Sequence, residues 1–96
     1  MTMLEREKEN YRLLNDYGMT IEEYEEKLKL QNNGCAICGI NPSVIGRKLC
    51  VDHQHRTRQI RGLLCNKCNS ALGWVENRNH LLEKCKEYLI KWNILT

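Results

Sequence analysis

The sequence predicts a small α+β domain stapled by zinc. Three observations carry that reading. The chain has 96 residues, no phenylalanine and 6% aromatic residues, so its core is modest, and a domain of this size usually needs a staple. Two Cys-x-x-Cys pairs, Cys35–Cys38 and Cys65–Cys68, with 26 residues between them, can supply it. Helix-period patterns at both ends enclose two short β-branched or aliphatic runs. One domain is expected over residues 1–96: a helical N-terminal brace (1–33), a zinc-bound core (34–76) and a C-terminal helix (77–96).

Met1–Tyr17 reads as a helix, with Leu4, Tyr11 and Leu14 on one face and Gly18 as a C′ stop. Thr20-Ile21-Glu22-Glu23 has capping-box form and opens a second helix, with Met19 and Tyr24 at the staple positions. Ile21, Tyr24 and Leu28 give it an apolar stripe, and Asn33-Gly34 ends it. Cys35–Cys38 followed by Gly39 suits a tight metal-binding turn, and Asn41-Pro42-Ser43 continues as loop. Lys48–Val51 and Ile60–Leu64 are expected to be antiparallel strands joined by the loop His53–Gln59. Cys65–Cys68 makes the second turn. Asn69-Ser70-Ala71-Leu72 begins a short helix, with Gly73 near its end. Asn79 is the expected N-cap of a last helix, about His80 to Trp92, with Leu81, Cys85, Tyr88 and Trp92 along one side and Leu82 and Leu89 beside them.

No basic-then-apolar stretch opens the chain and no apolar run approaches the length of a membrane span. No signal peptide and no membrane association are therefore expected, and the cell interior is the expected compartment. There, paired cysteines point to metal more than to disulfide. The net charge of +3 is unevenly spread. Residues 1–31 carry five basic and eight acidic side chains; residues 32–75 carry six basic ones (Arg47, Lys48, Arg56, Arg58, Arg61, Lys67) against the single acid Asp52. A basic centre of this kind is either a phosphate-binding surface or a solvated face.

Four thiolates complete a tetrahedron around Zn²⁺ and leave no open position, so Cys35, Cys38, Cys65 and Cys68 are expected to hold a structural ion. Such a site can contribute about 10 kcal/mol to folding, comparable with the whole stability of a small domain. Two disulfides, or thiols that merely pack, are the alternatives. Cys50 and Cys85 stand alone and are expected as buried apolar residues.

Between the pairs lies Asp52-His53-Gln54-His55. Alone the cluster is ambiguous: two solvated histidines on a loop, or a second, catalytic zinc held by both histidines and a carboxylate. Asn69, directly after Cys68, tips the balance. Asp carboxylate and Asn carbonyl are hard oxygen donors, suited to Mg²⁺ or Mn²⁺. An imidazole beside them can take a proton from water at neutral pH. An oxygen-liganded cation, a His base and surrounding arginines are the parts needed for phosphodiester hydrolysis.

The runs CAICG (35–39), LCVDHQH (49–55) and IRGLLCNKCNSALG (60–73) resemble the recombination endonuclease VII family, part of the HNH or ββα-metal (His-Me finger) nucleases, over about Tyr17 to Gly73. The resemblance implies a ββα-metal finger, with two antiparallel strands and a helix around one divalent cation, and a structural zinc beside it. By position, Asp52 and Asn69 would be ligands of a catalytic Mg²⁺ or Mn²⁺, His53 the general base, and His55 an assistant that orients the site or contacts phosphate. Lys48, Arg56, Arg58, Arg61 and Lys67 would face the DNA backbone. The implied activity is metal-dependent cleavage or nicking of duplex or branched DNA, as in phage recombination, in a bacterial cell or phage-infected host, with a homodimer where paired nicks are made. The chain departs from the pattern at Arg58, where many relatives have glycine, and at Leu72, where the junction-cleaving phage member has an acid. A non-catalytic zinc module that binds nucleic acid is the alternative function. A hydrolase with two zincs per chain, one held by His53 and His55, is a third reading.

Overall fold

The computed structural model describes residues 1–92; positions 93–96 of the expected C-terminal segment lie outside the described residues. Helix α1 (Met3–Tyr17) starts where the Thr2 hydroxyl accepts the Glu5 N–H, and ends at Gly18, left-handed at φ 67°. A glycine pays no Cβ penalty in that conformation. The face carrying Leu13 and Tyr17 reaches the core, with Leu13 fully buried. The expected stripe of Leu4, Tyr11 and Leu14 is exposed instead. The side that meets the rest of the chain is set at the C-terminal end of α1, and the longer apolar pattern lies off that side.

Helix α2 (Ile21–Leu30) opens on the capping box its sequence announces. The Thr20 hydroxyl accepts the Glu23 N–H at 3.1 Å, and the Glu23 carboxylate accepts the Thr20 N–H at 2.9 Å. Met19 and Ile21 are buried at this corner. The helix stops at Gln31. Asn32 and Asn33 follow in the left-handed region, at φ 55° and 59°, which asparagine tolerates better than most residues. Gln31 then acts as a clamp. Its amide donates to the carbonyls of Gly34 and Leu63, and its oxygen accepts the Leu63 N–H, each at 2.9 Å.

Residues 41–46, expected as loop, form a one-turn helix, α3 (Pro42–Ile45). Asn41 caps it through the Ser43 N–H, and Pro42 takes a first-turn position, where its missing N–H costs nothing. Strands β1 (Cys50–His53) and β2 (Ile60–Leu64) pair antiparallel. β1 runs further than expected, so Asp52 and His53 lie on the strand rather than at the mouth of a loop. It also starts later; the Leu49 carbonyl is taken by the Tyr24 hydroxyl at 2.7 Å. The register pairs Asp52 with Gly62 and His53 with Ile60, which leaves Arg61 as the extra residue of a β-bulge.

Helix α4 (Asn66–Val75) starts at the second cysteine pair, with Cys65 as its N-cap, and runs through Gly73. The expected turn at Cys65–Cys68 is therefore the first turn of this helix. A 3₁₀ turn (Asn79–Leu81) replaces the expected Asn79 cap and leads into α5 (Leu82–Lys91). Leu82, Cys85, Tyr88, Ile90 and Trp92 are exposed on α5, so Cys85 is not the buried residue expected. The helix leaves the core. The radius of gyration is 16.4 Å, against about 12–13 Å for a compact chain of this length.

The core is correspondingly small: Leu13, Met19, Ile21, Leu49, Val51, Leu63 and Leu64, with Cys35 and Cys65. Replacing Gln31 with Ala should therefore be felt, because it strips polar partners from the backbone of a fully buried strand residue. A loss of about 1–3 kcal/mol is expected, read as a lower urea midpoint at unchanged slope for the zinc-loaded protein.

Candidate functional site

The cysteines converge from two turns that the fold holds side by side. In the first, the Cys35 N–H donates to the Ile40 carbonyl and the Gly39 N–H to the Cys35 carbonyl, both at 2.9 Å. A Cβ on Gly34 would run into the Gly39 carbonyl, so the turn closes only over a glycine. The Ala36 N–H donates to the Leu63 carbonyl at 3.1 Å and ties this turn to β2. In the second turn, the Cys65 thiol caps α4 by accepting the Cys68 N–H at 3.4 Å.

The four sulfur atoms of Cys35, Cys38, Cys65 and Cys68 lie within 4.8 Å of one another. Cys38 and Cys65 are 3.8 Å apart, Sγ to Sγ; a ZnS₄ tetrahedron with bonds of about 2.3 Å has edges of about 3.8 Å. Burial alone would raise the Cys35 thiol, but backbone N–H groups of Cys65, Cys38 and Ile37 outweigh it and bring it down to about 6. Cys68 is pushed up to about 12, first by its hydrogen bond to Cys65 and then by burial. The surroundings thus favour a thiolate at Cys35 and oppose one at Cys68, and a bound dication would favour the thiolate at each. Donor set, spacing and electrostatics together suggest a structural zinc site.

Among the described residues no second group of three His, Cys, Asp or Glu side chains brings its donor atoms so close. His53 and His55 with a carboxylate thus do not form a ready-made zinc site.

One cleft of about 300 Å³ collects Asp52 and His53 from β1, His55 just beyond it, and Asn69 from α4. All four are candidate site residues of the sequence, and the fold explains how they come to line one cleft. The Asn69 N–H donates to the Cys65 carbonyl at 2.9 Å, so Asn69 stands one helical turn past the cysteine cap. Asp52 is buried, at 9% exposure. The His53 ring neighbours those of Tyr17 and His55, with centroids 6.0 and 5.4 Å away.

Arg61 and Glu76 complete the cleft. Arg61 grips Asp52 with a two-pronged bond, Nε to Oδ2 at 2.8 Å and Nη2 to Oδ1 at 2.9 Å. The same Nη2 donates to the Glu76 carboxylate. These two partners, Asp52 foremost, raise the guanidinium above its ordinary pKa. Glu76 also lies 3.8 Å from Nε2 of His55. Neither Glu76 nor Tyr17 was singled out from the sequence. Glu76 follows Asn69 by seven residues, two helical turns on the same face, but that relation needs α4 to run through Gly73. Leu72 lines the cleft without a charge, and the cleft's second carboxylate is Glu76, one turn later.

The other expected DNA contacts are dispersed. Lys48 lies 3.7 Å from Glu9. Lys67 and Arg47 line a separate cleft beside the cysteines. Arg56 is exposed, and Arg58 Nη2 donates to the Asp16 carbonyl at 3.4 Å. Arg58 has φ 63°, the left-handed conformation that a glycine adopts most readily.

A family model described as recombination endonuclease VII matches residues 10–91. Two curated relatives are each called gene 59 protein. The one from Mycobacterium phage D29 is 40% identical over 81 residues, covering 83% of this chain and 48% of the relative. The one from Mycobacterium phage L5 is 38% identical over 80 residues, covering 82% and 48%. The chain spans about half the length of these relatives. No solved structure matches it.

The cysteine geometry sets an expectation for metal content. Purified protein should carry one zinc per chain by elemental analysis, and chelation under reducing conditions should abolish its cooperative thermal melt. Metal-free protein that keeps a full melt would refute the structural role.

Proposed function

The chain belongs to the recombination endonuclease VII family, and on that premise we propose that it is a divalent-metal-dependent endonuclease that hydrolyses phosphodiester bonds in DNA. The observation that carries the proposal is one cleft lined by Asp52, His53 and Asn69. The Asp52 carboxylate and the Asn69 carbonyl suit an oxygen-liganded Mg²⁺ or Mn²⁺, which when bound would neutralise charge on the scissile phosphate and the leaving oxygen.

His53 takes the proton from the attacking water. Its ring is within contact range of the Tyr17 and His55 rings, which would help orient it. His55, with its side chain 77% exposed, reaches solvent and would contact a phosphate. The basic side chains Lys48, Arg56, Arg58 and Lys67 add charge that favours a nucleic-acid backbone without reading its sequence. The cysteine cluster contributes no chemistry in this reading; it fixes the helix that presents Asn69.

The substrate is duplex or branched DNA. One copy makes a nick, and paired cuts need two copies, for which the exposed apolar positions of α1 and α5 offer a contact surface. No helix among the described residues is long and apolar enough to cross a membrane. With phage proteins as relatives, a bacterial cell or phage-infected host is the proposed setting.

A second reading has its own support. Asp52 is already paired with Arg61, as in a purely structural ion pair, which suits a non-catalytic zinc module that binds nucleic acid. Incubation with supercoiled plasmid and with a four-way junction, with and without Mg²⁺ or Mn²⁺, separates the two. Metal-dependent nicking is expected, and His53→Ala should lower its rate by about 10²–10⁴-fold at unchanged zinc content. Binding without cleavage in either metal, unaffected by His53→Ala, favours the module instead.

A further inference from the structure

We infer that Arg61 is a displaceable counter-ion: it holds the Asp52 carboxylate until a divalent cation binds there, and then stays tethered in the cleft by Glu76. The inference rests on the nuclease reading and concerns how its metal site is kept before loading.

The geometry is specific on three points. Both oxygens of Asp52 accept from one guanidinium, so the proposed ligand is neutralised by a side chain of its own chain. Arg61 owes this position to the bulge opposite Asp52–His53, because a bulge re-aims a side chain that regular alternation would send elsewhere. The Nη2 group that binds Asp52 also binds Glu76, so Arg61 has a second anchor that survives loss of the first.

Arg61 occupies both Asp52 oxygens, and a dication arriving there would meet the repulsion of a second positive charge at short range. The guanidinium therefore competes with the metal. Once released it is not lost to solvent: Glu76 keeps it at the mouth of the cleft, with Nε and one edge free. A guanidinium edge matches phosphate oxygens two-pronged, as it matched the carboxylate. Cation binding thus converts Arg61 from a partner of Asp52 into a candidate partner of the DNA backbone. Glu76 is a positioning residue here, acting through Arg61.

The test is a titration of zinc-loaded protein with Mn²⁺, read by electron paramagnetic resonance in the absence of DNA. Arg61→Gln should bind Mn²⁺ about tenfold more tightly than the wild type, within the usual range for coupled sites, while its plasmid cleavage falls. Arg61→Lys keeps the charge but not the fork and should tighten binding by less; it also keeps the question open to experiment if the Gln variant fails to fold. Glu76→Gln should weaken Mn²⁺ binding in the wild type, because Arg61 then has only Asp52 to hold, and by much less in the Arg61→Gln background. Unchanged or weaker Mn²⁺ binding in both folded Arg61 variants overturns the inference. An equal effect of Glu76→Gln in both backgrounds overturns the tether, because Glu76 then acts directly on the cation. A wild type that cleaves DNA while its Arg61 variants bind Mn²⁺ no more tightly refutes the counter-ion alone; a wild type that neither binds Mn²⁺ nor cleaves refutes the nuclease reading as well.

Discussion

The convergence of four thiols is the constraint on which the rest depends. Cys65 shows why. It follows the last residue of β2, caps α4 and carries one of the four sulfur atoms. The cluster thereby locks strand to helix, and Asn69 lies one turn above that lock. Little else could do so. Among the described residues, only Leu13 and Leu63 are fully buried larger side chains, and a core of this size contributes too little to hold a cleft open on its own. Gln31 extends the same frame by fastening the end of α2 to Leu63, the residue whose carbonyl also meets the first cysteine turn.

Much of this was legible in the sequence, and the limits are physical. Periodicity and the capping box fixed α2, because Thr20 and Glu23 satisfy each other locally. Cysteine spacing identified the cluster, because ligand geometry restricts sequence spacing. Asp52, His53, His55 and Asn69 were all singled out, and one cleft collects them. Three features escaped for distinct reasons. The stripe of α1 pointed away from its partner, since periodicity reports amphipathicity and not where neighbours lie. Helix α4 continues through Gly73 because α-helical bonds and the Cys65 cap outweigh a single glycine's propensity cost of about 1 kcal/mol. The bulge at Arg61 is a matter of strand register, which no local pattern at Ile60–Leu64 announced; with it went the pairing of Arg61 and Asp52 and the place of Glu76.

Charge is organised on two scales. Most basic residues of the centre are spread over different faces, engaged with Glu9 or a backbone carbonyl, or open to solvent. Surface pairs of that kind contribute little stability and give way readily to a polyanion. Arg61 is different. It is locked between two carboxylates at the edge of a buried acid, so its release requires an incoming charge. The cleft is thus poised by internal compensation, while the outer cations remain available to any phosphate backbone.

The proposed chemistry requires that the Asp52–Asn69 cleft take a divalent cation beside His53. Paramagnetic broadening tests this directly: substoichiometric Mn²⁺ is added to zinc-loaded, isotope-labelled protein and the backbone amide signals are followed. Earliest broadening at Asp52, His53, Gly62 and Asn69 is the predicted result. Broadening confined to the acidic surface of α2, with the cleft signals sharp, would contradict it.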